Sequence, residues 1–250
     1  LKDHLNSEWL KRTTDFMQDK KIAVDFYGAE IDGNFTSPLQ DKITLQPGTN
    51  VRIDVVVRTK GIGHKFPGGT IDSNEPWLQV FVQNENGETI YGSGLLDGKK
   101  FVDQSAHFFR GILLDKHGEF ILKRNPHEWV TTLYNNSIPP GSAEVIHYEW
   151  NVPDNLNGGF KIIANLNYRK FNRRITEAFL EEPVDLPIVT MASDTVSIVA
   201  HSQKLNLKVE DAIRINDYGI GMLRQNNLEA ARTAFTRVTE INPKYADGYV

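Results

Sequence analysis

The sequence predicts a mainly β protein with added helices: a β-sandwich preceded by one helix and followed by a pair of helices. Three observations carry this. Short apolar runs of alternating pattern recur at fairly regular spacing, with Gly and Pro turns between them. The first twenty residues are polar except for one helical stripe. From about Asp211 the apolar period changes from two to that of a helix. The expected units are an N-terminal helix over 1–20, continuing an upstream region, a β-sandwich over 21–205 and a helical segment over 211–250.

The elements follow in order. Leu5, Trp9, Leu10 and Phe16 form the stripe of the first helix. Ile22 to Tyr27 reads as a strand, then a polar turn region runs to about Asp41, and Lys42 to Leu45 is a short strand. Pro47-Gly48 marks a turn. Val51, Ile53, Val55 and Val57 alternate with Arg52, Asp54 and Arg58, which predicts a strand with one buried face. Trp77 to Asn84 follows, with apolar residues on both faces, and Asn84 to Gly87 is a hairpin turn. Ser105 to Leu114, Glu119 to Leu122, Trp129 to Tyr134, Ala143 to Trp150, Phe160 to Tyr168 and Thr195 to Ala200 complete the strands. Asn172 to Leu180 is a short helix ahead of Pro183. Trp77, Trp129, Trp150 and Phe108-Phe109 are expected in the core.

Composition narrows the function. The chain has 250 residues, 40% apolar and 24% charged, with a net charge of −4. No dense basic run suggests a nucleic-acid surface. Lys123-Arg124 and Arg169-Lys170 with Arg173-Arg174 read as solvated faces. There is no cysteine, so disulfides, thiolate metal sites and Cys-x-x-Cys-His haem attachment are excluded within these residues. No apolar run approaches the roughly 20 residues that cross a bilayer, and no signal peptide is visible. The chain opens on Leu1 rather than Met, so an upstream part is expected.

The chemistry centres on Gly61-Ile62-Gly63-His64-Lys65-Phe66-Pro67-Gly68-Gly69, a loop between two strong strands. Four glycines and a proline specify its shape, and it presents His64 at the end of a sheet, where rigid scaffolds display functional groups. His64 reads either as a metal ligand or as a loop histidine bonded to the backbone. With His107, Asp72 and Glu75 it makes a two-nitrogen, two-carboxylate set suited to a borderline transition metal. Asp72, Asn74, Glu75 and Asp103 are alternatively an oxygen set for calcium, or turn and strand-end caps. His117, His127, His147 and His201 read as surface or structural. No nucleophile elbow, phosphate loop or His-Glu-x-x-His motif occurs.

The C-terminal helices resemble one tetratricopeptide repeat. Gly219, Ala231, Phe235 and Pro243 stand in register with that family's packing glycine, small residue, aromatic and terminal proline. Such a repeat stacks on neighbours, so 211–250 reads as the opening of an array, with a protein partner on its concave face. A plain helical hairpin docked on the sandwich is the alternative.

The larger part resembles the non-haem β-domain of certain multihaem c-type cytochromes. The resemblance rests on the Gly61–Gly69 loop, Asp72-Ser73-Asn74-Glu75-Pro76-Trp77, Asp103 to Phe109, Asn167 to Phe171 and Asn216 to Gly221. In that family haem-attachment motifs lie upstream and a tetratricopeptide array follows. The resemblance implies a non-catalytic structural and interaction segment of a periplasmic or extracellular bacterial electron-transfer protein. It also implies haem c in the full-length protein, not attached to this segment, and His64 as an axial ligand to haem held by the upstream region or subunit. Two alternatives stand beside it: a haem-free self-assembling surface or filament module, and a metal-binding enzyme using His64 and His107.

Overall fold

The computed structural model describes residues 7–123, 125–154, 159–180, 184–199 and 207–249. The chain is mainly β with several open sheets and a few helices. Helix α1 spans Ser7–Gln18. The strands are β1 Ile22–Ile31, β2 Asn34–Thr36, β3 Lys42–Ile43, β4 Asn50–Thr59, β5 Glu75–Gln83, β6 Thr89–Ser93, β7 His107–Phe108, β8 Gly111–Leu114, β9 Thr131–Asn135, β10 Ala143–Asn151, β11 Phe160–Arg169 and β12 Ile188–Ile198. Helices α2 Arg173–Phe179, α3 Asp211–Arg224 and α4 Leu228–Ile241 complete the framework.

One antiparallel sheet runs β10-β4-β1-β2. The second runs β3-β12-β11-β5-β6, with β7 also on β5 and only the β12/β3 pair parallel. Val55 and Val57 of the first sheet and Leu78, Val80, Ile162 and Leu166 of the second belong to one buried cluster, so the two sheets share a core. Burial of this apolar surface is the main stabilising term.

The alternating strand Val51–Thr59 is buried on both faces, not one. Val56 and Asp54 are as inaccessible as Val55. The cause is the helical pair. Tyr27, Val56, Ala143 and Val145 on the outer face of the first sheet form a second cluster with Ala212, Ile215 and Met222 of α3 and Phe235 and Val238 of α4. Phe26 enters the inner core and its neighbour Tyr27 the outer one by ordinary strand alternation, Tyr27 stacked on Tyr218 with centroids 4.1 Å apart, and the register shift between Phe26 and Gly28 then returns Ala29 to the inner core. Ion pairs fasten α3 to the sheet: Arg214–Asp25 at 2.9 Å, Arg58–Asp217 at 2.8 Å and Arg224–Glu144 at 3.0 Å.

The hairpin closes through the residues expected to pack it. A Cβ on Gly219 would lie 2.7 Å from the Phe235 ring, so only glycine lets α3 and α4 approach this closely. Asn227 caps α4 by accepting from the Ala230 amide at 3.2 Å.

Several expectations are corrected. Helix α1 buries no residue: Trp9 and Phe16 stay 69% and 66% exposed, and the stripe is not sealed against a sheet. Leu5 lies outside the described residues, as do Arg124, Pro183, Ala200 and His201. The polar region after Tyr27 continues β1 to Ile31 and turns at Asp32-Gly33 into β2, both with positive φ. Ser105–Leu114 breaks into β7 and β8, and Glu119–Leu122 yields only a Leu114–Phe120 bridge. Trp129 is 54% exposed, beside the two-stranded ribbon β8-β9, rather than in the core. Arg169 and Arg173 are buried in ion pairs with Glu75 and Asp185, not solvated.

Candidate functional site

The glycine loop leaves the end of β4 and is anchored from within. Phe66 is buried in the main core, and its N–H and carbonyl exchange 2.8 Å hydrogen bonds with Ile138. Buried Asn74 donates from Nδ2 to the Gly68 carbonyl at 3.0 Å. Between these two anchors His64 lies exposed on the loop surface.

The imidazole has a defined pose. Its Nδ1 is 2.8 Å from the Lys65 carbonyl oxygen. A carbonyl only accepts, so Nδ1 carries the proton and Nε2 of the neutral ring keeps its lone pair. The ring lies close against Gly68: a Cβ there would sit 2.4 Å from Cε1 and 2.7 Å from Nδ1. Glycine at 68 is therefore what gives the ring its seat.

His64 opens onto a groove of about 770 Å³ between the loop and α1. Its walls are mostly apolar, including Trp9, Phe16, Met17, Phe66 and Phe171, with Lys21 and Lys170 at the margin. The exposed stripe of α1 is thus one side of a cleft rather than a misfit. An apolar groove with few polar groups is the ordinary form of a small-molecule or cofactor site.

The other sequence-predicted ligands are engaged elsewhere. Nε2 of His107 is 2.9 Å from Glu144 and 2.8 Å from the Asn136 amide, and its ring packs edge-on to Phe109. Glu75 is held by Arg169, whose Nε donates at 2.7 Å and whose Nη2 makes a second, shorter bond. Burial pushes the Glu75 carboxyl up from its ordinary range, against the pull of Arg169. Asp72 lines a different cavity, with Glu75. Asp103 caps a turn, accepting from Leu95 N and Ser105 N. Among the described residues no group of three or more His, Asp or Glu is placed to hold a metal ion, so the set His64, His107, Asp72 and Glu75 is not assembled.

Two features escaped the sequence reading. Glu144 links His107 to Arg224 of α3, itself 80 residues from Glu144, a pairing with no local signature. The groove needs α1 and the loop together, which no single stretch reveals.

Comparison with known proteins found no matching family model and no curated protein of similar sequence. Among solved structures, a penta-heme cytochrome c552 from Thermochromatium tepidum aligns at 13% identity and a TM-score of 0.47 over 73% of this chain. The chain spans only 41% of that protein's length. The C-terminal domain of wzt aligns at 12% identity and 0.32 over 74% of this chain and 76% of its own. The sporulation control protein Spo0M of Bacillus subtilis aligns at 12% and 0.27 over 78% and 55%. This protein therefore bears a weak structural resemblance to a multihaem cytochrome.

Proposed function

We propose that this chain is the haemless β-sandwich support of a multihaem c-type electron-transfer protein, periplasmic or extracellular, and that His64 offers Nε2 to the iron of a haem carried by another part of that protein. The observation that carries the reading is the His64 pose: Nδ1–H tied to the Lys65 carbonyl, the ring seated on Gly68, and Nε2 free beside an apolar groove. A histidine whose second nitrogen is fixed by a backbone carbonyl is the usual arrangement of a metal-bound imidazole. The sequence motif around it supports the same reading. A haem edge would lie against Trp9, Phe16 and Phe171, with Lys21 and Lys170 placed for carboxylate side groups. The bound haem supplies one-electron chemistry; this chain orients one ligand and keeps water from that edge.

In this reading α3 and α4 open a tetratricopeptide array. Because α3 is packed on the sheet, the surface left for a protein partner lies on the exposed side of the hairpin, where Leu223 and Leu228 are uncovered. The test uses the full natural protein. His64→Ala should change the spin state and midpoint potential of one haem and leave the rest unchanged. An unaltered spectrum and potential in that variant would refute the ligand role.

A further inference from the structure

A second cavity, away from His64, lies between α2, β7 and the base of the β8-β9 ribbon. It holds about 60 Å³, room for about four waters or one small organic acid. Its walls are apolar on one side, with Val102, Phe108, Ile121 and Ile175. On the other side stand Arg110 and Arg174, with the carboxylates of Glu75 and Asp72.

Arg110 is the unusual group. Its guanidinium lies on the Phe108 ring, Cζ 3.8 Å from the centroid. Its Nε is buried and has no hydrogen-bond partner among the described residues. Burial is the largest influence against its charged form; Glu75 partly offsets it, and the like charge of Arg174 adds to it. Glu75 is already committed to Arg169, which makes two bonds to it. A guanidinium stays protonated at any ordinary pH, so burial leaves it under-compensated rather than neutral. Its planar donors match a carboxylate or a phosphate.

We infer that this cavity is a binding site for a small monocarboxylic acid, with the carboxylate on Arg110 and Arg174 and a short aliphatic body against Phe108 and Ile175. A monoanion is favoured over phosphate because Glu75 and Asp72 border the same space and would repel a second charge. The apolar wall favours an organic acid over an inorganic anion.

Thermal unfolding of the full 250-residue chain tests this, at constant ionic strength, with acetate, propionate, butyrate, phosphate, sulfate or chloride added. A saturable rise of the midpoint is expected with one or more of the organic acids, at a Kd of about 1 mM. Phosphate, sulfate and chloride should give none. Arg174→Gln, at an exposed position, should weaken the effect about 10-fold or more. Arg110→Met should abolish it while leaving the ligand-free midpoint equal or higher, because a cation whose buried Nε has no hydrogen-bond partner among the described residues is removed. The inference is overturned by no saturable shift at about 50 mM acid, by equal shifts with sulfate, or by an unchanged response in Arg174→Gln. None of these outcomes touches the His64 groove.

Discussion

Glu144→Gln is the sharpest perturbation of how the helical pair is held. The Glu144 side chain is 8% exposed and receives a bond from His107 at 2.9 Å and from Arg224 at 3.0 Å. Burial pushes its carboxyl up, but His107, Arg224 and Asn136 together overrule burial and hold it below the ordinary glutamate value. Hydrogen bonds to charged groups contribute about 1.5–3 kcal/mol each. Glutamine keeps the shape and one acceptor oxygen, so one bond is weakened and one lost. His107 and Arg224 are each about a quarter exposed, so water offsets part of the loss. The net cost is about 1.5–3 kcal/mol, read as a lower urea midpoint at unchanged slope. The pH dependence has a definite sign. A depressed folded pKa gives stability that is present above the ordinary value of 4.5 and lost as pH falls below it. Wild type should therefore lose stability below pH 4.5 more steeply than Glu144→Gln, which lacks this component. A cost under about 0.5 kcal/mol, or parallel acid curves, would refute the account of this contact.

Two further outcomes are expected. Gly68→Ala should leave stability within about 0.5 kcal/mol, because the group displaced is an exposed ring, yet release the His64 tautomer. Two-dimensional nitrogen NMR of the imidazole should show a protonated Nδ1 in wild type and a mixture in the variant. Phe235→Ala, by emptying the space against Gly219 in the buried outer cluster, should cost about 3–5 kcal/mol in chemical denaturation.

The strands that were legible in the sequence were those whose neighbours match their pattern. Phe160–Arg169 largely alternates and lies between two strands, and the second half of Ala143–Asn151 alternates likewise, so there local pattern and tertiary burial agree. The helical pair was legible for the same reason: Gly219, Ala231 and Phe235 meet within one local unit. Legibility failed where a distant element redefined a face. Val56 and Asp54 read as solvent-side until α3, more than 150 residues away, covers them. Trp129 reads as core by residue type, but it borders a separate two-stranded ribbon on which Leu133 and Tyr134 are exposed as well. The metal set was grouped by loop proximity, a local signal that does not register the distant partners Arg169 and Glu144, which engage Glu75 and His107.

The sequence by itself determined a mainly β chain with a closing helical hairpin, the absence of covalent haem attachment in these residues, and a shaped glycine loop carrying His64. These depend on periodicity, composition and turn chemistry, all of them local. Only the tertiary structure decided that strand β4 is buried on both faces, that His64 is seated on Gly68 above an apolar groove, and that the buried Nε of Arg110 has no hydrogen-bond partner among the described residues. Each of those depends on which surfaces meet across long stretches of chain, and apolar burial and charge pairing between distant residues leave no local pattern to read.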